Sequence, residues 1–172
     1  MGYYFTYNLI NWIIYNLSID LVDRRILDLL QKDGSLSSGE VASQLNMTTP
    51  PCWRRIRRLK DEGYLQKQVW LVNPEAMNLK VTIYANVRLT THDKEATTAF
   101  RLQIQTFPEV QECYILLGTS DVLIKVLVSD IKEYEDIFFN HISQLPGVKE
   151  VTSSVVLSEV KNSTELPIKL TP

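Results

Sequence analysis

The chain has 172 residues, 45% hydrophobic and 22% charged, with a formal net charge of -2. That is the composition of a folded globular protein with room for one large domain or two small ones, and it argues against disorder. Two cysteines, Cys52 and Cys113, and two histidines, His92 and His141, show no metal-ligand spacing, which argues against a disulfide framework or metal site and for a reducing, cytoplasmic setting.

Residues 1–18 carry no charge. The stretch is barely long enough to span a bilayer, Asn8, Asn11 and Asn16 interrupt it, and it has neither a basic start nor a small-residue cleavage site. An N-terminal extension is expected here rather than an anchor or signal. From Asp20, Val22, Ile26, Leu29 and Leu30 fall on one helical face, with Arg24, Arg25, Asp28 and Lys32 on the other, up to Asp33 and Gly34. A second helix starts at Ser37, where Ser37 and Glu40 have capping-box spacing and Leu36 and Val41 that of a hydrophobic staple. It ends at Asn46, a residue that tolerates the left-handed backbone of a tight turn. The third helix lies within residues 47–63. Cys52, Ile56 and Leu59 make an apolar stripe, while Arg54, Arg55, Arg57, Arg58 and Lys60 project elsewhere. Pro50 and Pro51 suit its opening and Gly63 its close, and the bias of a residue before proline favours Thr49 or Pro50 over Thr48 as the N-cap. Helix, short helix, sharp turn and basic helix is the order of a helix-turn-helix unit, whose last helix can enter a major groove of double-stranded DNA.

Residues 64–72 read as extended chain stopped by Asn73 and Pro74, with a linker over 65–79. Residues 80–90 alternate Val81, Ile83, Ala85, Val87 and Leu89 against polar neighbours, the pattern of a half-buried strand. A helix follows over 93–106, with Ala96, Ala99, Phe100, Gln103 and Phe107 near one face. Strands over 109–117 and 122–129 flank the turn Gly118, Thr119, Ser120, Asp121 as a hairpin. A helix over 130–145 carries Ile131, Tyr134, Ile137, Phe138 and Ile142, and a last long strand covers 148–160. The order βαββαβ predicts a ferredoxin-like domain over 80–172, giving an α+β chain with a helix-turn-helix domain over 19–64 in front. Both helices cover one sheet face, so the other is expected to be apolar and buried by a second copy. Charge divides the same way: residues 20–68 hold nine Lys/Arg against seven Asp/Glu, and residues 69–172 nine against thirteen.

Over about residues 19–169 the chain resembles the leucine-responsive/asparagine-responsive (Lrp/AsnC) family of bacterial and archaeal transcriptional regulators. The similarity is carried by the opening helix at 19–27, by the Thr48-Thr49-Pro50-Pro51-Cys52-Trp53-Arg54-Arg55-Ile56-Arg57-Arg58-Leu59 segment, which resembles the recognition helix, by the Gly118-x-x-Asp121 turn, and by the last strand around 151–154. Residues 1–18 have no family counterpart, and Asn46 stands where the turn often has Gly. The resemblance implies a winged-helix or helix-turn-helix DNA reader, with Thr48, Thr49, Trp53, Arg54, Arg55, Arg57 and Arg58 as the DNA-facing set. It also implies a ligand-sensing domain that assembles as dimers or larger homo-oligomers, octamers among them, and a small amino acid as effector, held between subunits. An amino acid needs donors for its carboxylate and an acceptor for its ammonium. Gly118, Thr119, Ser120 and Thr152 are the candidates for the first, with Gly118 allowing close main-chain approach, and Asp121 for the second; Ser153 and Ser154 complete the effector set on the facing strand.

A Cys–His nucleophile would need residues from different predicted elements, so no enzyme is read here, and Cys52 fits an apolar stripe unless it is exposed enough to sense thiols. The alternative function is a stand-alone small-molecule sensor, or the regulatory subunit of a metabolic enzyme, using only the ferredoxin-like half. Such a protein has no use for the basic helix.

Overall fold

In the computed structural model residues 19–90 and 94–171 are described; the expectations for residues 1–18 and for His92 lie outside them. The chain divides into two compact units with separate cores. One runs to Leu71 and takes in the chain from Lys161 onward; the other is Val72–Val160.

The first unit contains α1 (Leu21–Lys32), α2 (Ser38–Gln44) and α3 (Thr49–Asp61). Both α1 and α2 start with reciprocal capping boxes. Asp23 N donates to Asp20 at 2.8 Å and Asp20 N to Asp23 at 3.1 Å, and Ser37 and Glu40 do the same for α2. Asn46 takes the left-handed turn at φ 52°. The N-cap of α3 is Thr48, with Thr49 already helical, which corrects the expected Thr49 or Pro50. Pro50 and Pro51 then fall among the first four helical positions, whose N–H groups need no intrahelical partner, so neither ring breaks a bond. Gly63 closes the helix at φ 80°, its N–H donating to Lys60 O at 3.0 Å. Ile26, Val41, Ala42, Cys52, Ile56 and Leu59 form the core. Burying a leucine side chain as fully as Leu59 is buried stabilises by about 1.5–3 kcal/mol, which fastens α3 to α1 and α2.

Two boundaries differ from expectation. Residues 64–72 form no strand, and Leu65 packs on the core while the Gln68 amide donates to Gly34 O at 2.6 Å, so the first part of the expected linker belongs to this unit. The segment from Lys161, expected in the second domain, also groups here. The Gln31 side-chain amide donates to Leu166 O at 3.0 Å and accepts from Leu166 N at 2.8 Å, and Arg24 Nη1 donates to Lys169 O at 3.1 Å. These side chains satisfy main-chain groups that no strand partner reaches.

The second unit contains β1 (Val81–Leu89), α4 (Lys94–Ile104), β2 (Val110–Ile115), β3 (Val122–Val128), α5 (Ile131–Asn140) and β4 (Val148–Val155). The four-stranded sheet has the order β2-β3-β1-β4 with every pairing antiparallel, the ferredoxin-like arrangement. Ile83, Ala85, Val87, Val122, Ile124, Val126 and Val128 point to one face, where Phe100, Ile104, Tyr134, Ile137 and Ile142 complete the core. Helix α4 turns Ile104 inward and leaves Gln103 exposed. On α5 Ile131 is exposed, and the helix breaks at His141 before a short 3₁₀ turn over Ile142–Gln144. β4 stops at Val155 rather than 160. The other sheet face is not apolar as expected. Alternation puts Tyr84, Asn86, Arg88 and Lys125 there beside Leu123 and Leu127, with Lys125 ion-paired to Glu112 at 3.2 Å.

Candidate nucleic-acid interface and effector pocket

The arginines of α3 sort into two sets. Asp23 of α1 is 1% exposed although it carries a carboxylate. It accepts from Arg55 Nη1 at 2.8 Å and from Arg58 Nη2 at 2.5 Å, and Arg55 also reaches Asp20 at 2.7 Å. A carboxylate out of water is tolerated only with such partners. At the entrance, burial opposes ionisation of Asp20, but the Asp23 N–H and the Arg55 guanidinium outweigh it and hold its carboxyl below the usual range. Arg55 and Arg58 are thus turned toward α1 and are half-exposed. Arg54 and Arg57 are exposed, with Thr48, Thr49, Trp53 and Lys60; the Arg57 guanidinium lies 5.5 Å from the centre of the Trp53 ring and 3.9 Å from the Asp61 carboxylate one turn on.

Cys52 lies fully buried in the apolar stripe, and burial pushes its thiol up despite the nearby Arg55, the reverse of what a thiol sensor needs. Cys113 is exposed on β2.

The expected effector residues do not all meet. Thr119, Ser120 and Thr152 line an open cavity of about 300 Å³ with Asn86, Arg88 and Glu150. Register explains the group: Asn86 pairs with Thr152 and Arg88 with Glu150 across β1 and β4, next to an irregularity between Arg88 and Leu89. The Arg88 Nε–H donates to Thr119 O at 3.0 Å, tying the β2–β3 turn to the sheet, and its Nη1 reaches Glu150 at 3.5 Å. Ser153 belongs to the opposite face, where its hydroxyl meets Tyr134 Oη at 2.6 Å, because successive strand residues alternate. Ser154, two positions after Thr152, lies opposite Tyr84 and does not line the cavity. Gly118 has no close neighbour that a side chain would strike, so no close approach explains it within this chain. Asp121 accepts from Leu89 N at 2.8 Å, and its own N–H donates to Val87 O at 3.1 Å. It closes the turn onto β1 rather than facing the cavity.

Sequence reading missed Asp23, Asn86, Arg88 and Glu150. Asp23 had a signal, since it lies three residues before Ile26 and seven before Leu30, inside the apolar stripe of α1. Arg88 and Glu150 needed the strand register, which no local pattern specifies.

A helix-turn-helix unit with an open cationic face, followed by a ferredoxin-like unit with a polar cavity, defines a two-module regulator that reads DNA and senses a small molecule. Residues 19–66 match the winged helix-turn-helix DNA-binding family, and residues 82–166 match the Lrp/AsnC ligand binding domain. The DNA-binding transcriptional activator DecR of Escherichia coli K12 is 36% identical over 151 residues, covering 88% of this chain and 99% of that protein. The leucine-responsive regulatory protein of the same organism is 33% identical over 151 residues, covering 88% and 92%. Among solved structures, an AsnC family transcriptional regulator from Agrobacterium tumefaciens is similar at TM-score 0.82 and 34% identity, covering 87% of this chain and 97% of that one. The regulator NMB0573 from Neisseria meningitidis, solved as a complex with L-Met, is similar at TM-score 0.84 and 30% identity with the same coverage. The chain belongs to the Lrp/AsnC family of DNA-binding transcriptional regulators. These relatives are regulators rather than enzymes, and a stand-alone sensor would leave the matched DNA-binding unit without a role. No helix among the described residues is long and apolar enough to cross a membrane.

Proposed function

We propose that the chain acts in the cytoplasm as a homo-oligomer that grips double-stranded DNA through the open face of α3 and answers to a small amino acid bound in the cavity of the second unit. The observation that carries the DNA part is the sorting by Asp23. Arg54, Arg57, Trp53, Thr48 and Thr49 are the direct contacts, whereas Arg55 and Arg58 orient the helix and lend positive potential from its flank. For the effector, Thr119, Ser120 and Thr152 contribute hydroxyls, with Glu150 rather than Asp121 as the acceptor for an ammonium. The L-Met complex of the Neisseria relative supports an amino acid. Assembly is supported by apolar side chains left open at Val69, Trp70, Leu71 and Val72, with Trp70 92% exposed; a monomer by light scattering at micromolar concentration would refute it.

The test is a salt titration of DNA binding for Arg54→Ala and Arg57→Ala. A variant that no longer holds a phosphate binds all sequences more weakly and shows a salt slope lower by about one unit, while one that no longer reads a base edge binds only the target more weakly, by about 1–3 kcal/mol. Unchanged binding in both variants and in their combination would overturn the assignment.

A further inference from the structure

The chain passes between the two units at Leu71–Val72 and again at Val160–Lys161. The second passage continues β4, the strand whose Glu150 and Thr152 line the cavity, and it ends on α1. Main chain alone fastens it there. One Gln31 amide takes both polar groups of Leu166, accepting from its N–H at 2.8 Å and donating to its carbonyl at 3.0 Å, while Arg24 takes the carbonyl of Lys169 at 3.1 Å. The earlier anchor on α1 holds the later residue, so the segment runs antiparallel to the helix. Between the anchors Pro167 occupies a tight turn closed by Ile168 N–H to Leu166 O at 2.8 Å, and its fixed φ reduces the entropy lost on docking. Gln31 is itself held on the helix surface by donating to Asp28 at 3.2 Å.

This attachment is built to open. Leu166 is 70% exposed, and among the described residues none after Leu65 packs on the core of the first unit. The segment is therefore held by a few exposed hydrogen bonds, each of small net worth, and can leave without disturbing that core. Two states so close in free energy are what a ligand can tip. At its other end the contact reaches the DNA-binding helix: Arg24 adjoins Asp23, and Asp23 is what orients Arg55 and Arg58 of α3. We propose that residues 161–171 are a detachable strap, clasped to α1 through Gln31 and Arg24, by which a ligand held at β4 alters the grip of α3 on DNA. This rests on the cavity being the effector site and on α3 being the DNA-binding helix. Intermediate position alone does not establish such a route; a measured coupling does.

Two variants of the full chain open the clasp from opposite sides. Gln31→Ala removes the amide on α1, and Leu166→Pro removes the N–H on the strap; neither residue belongs to the DNA-facing set or the cavity. DNA affinity is measured by fluorescence anisotropy with and without each of the twenty amino acids, at a temperature where circular dichroism shows every variant folded. An amino acid that shifts the parent's affinity by about fivefold or more should shift that of each variant by less than about twofold. The double variant should respond like either single one, because both break the same clasp. Salt slopes should stay unchanged, since neither residue holds a phosphate. Hydrogen exchange at the Leu166 amide reports the clasp directly, with protection in the parent and none in Gln31→Ala. Equal exchange in the two, or an undiminished amino-acid response in both single variants, overturns the strap and leaves amino-acid sensing standing. If none of the twenty alters the Tm or the DNA affinity of the parent, the effector reading itself fails, and this inference with it.

Discussion

Replacing Asp23 is the most direct probe of how the DNA-binding unit is held together. Removing one member of a buried charged cluster costs about 3–5 kcal/mol when the charges left behind are stranded. Here the guanidinium groups can retreat to water, because Arg55 is 32% and Arg58 42% exposed, and Arg55 keeps Asp20. That brings the expected cost of Asp23→Ala to about 2–3 kcal/mol, including the capping bond from Asp20 N. Asp23→Asn keeps the shape but not the charge and should cost about 1–2 kcal/mol. Trp53 lies on α3, so in a chain with Trp12 and Trp70 replaced by Phe, tryptophan fluorescence during urea unfolding follows this unit. With a slope of about 1 kcal/mol per molar for a unit of this size, the alanine variant's midpoint should fall by about 2–3 M. Arginines released from Asp23 should also steepen the salt dependence of DNA binding by about one unit and raise affinity for non-target DNA. A midpoint unchanged in both variants, or no coupling between Asp23 and Arg55 in a double-mutant cycle, would refute this account.

Asp121→Ala should destabilise the second unit by about 1–3 kcal/mol by leaving Leu89 N without its acceptor, seen as a lower Tm with or without amino acid; an unshifted Tm would restore Asp121 as a plain ligand candidate. Acid should weaken the first unit in a defined window. Carboxyls of Asp28, bonded to Lys32, of Asp33, bonded to Ser35, and of Glu40, bonded to Ser37, lie below their ordinary values of 3.8, 3.8 and 4.5. Depressed carboxyls stabilise the fold above their ordinary values and lose that contribution as pH falls through the lowered ones. Tryptophan-monitored stability should therefore be flat with respect to these groups near neutrality and decline from about pH 4.5 downward; a decline confined to higher pH would contradict it.

Much of the architecture was legible because it is written in short-range patterns. The boxes at Asp20 and Ser37, the left-handed Asn46, the closing Gly63 and the alternation of β1 each act within a few residues, and each appears where local physics puts it. What was not legible depends on distant pairing. The fourfold arginine front looked uniform until Asp23, from another helix, drew in Arg55 and Arg58. The run Thr152, Ser153, Ser154 looked like one site, yet pairing with β1 sends Ser153 to the helix side. Asp121 had the chemistry of an ammonium partner, but the nearer Leu89 N–H claims its carboxylate.

The clasp of Gln31 on Leu166, with Arg24 on Lys169, has a consequence for how the protein is made. Those contacts join residues 135 and 145 positions apart, and synthesis proceeds at about 5–20 residues per second. Helices α1 to α3 can therefore assemble on the ribosome for roughly ten seconds before the segment that finishes them has been translated. During that interval the nascent DNA-binding unit lacks its clasp, with Gln31 and Arg24 still without the main-chain partners that Leu166 and Lys169 supply.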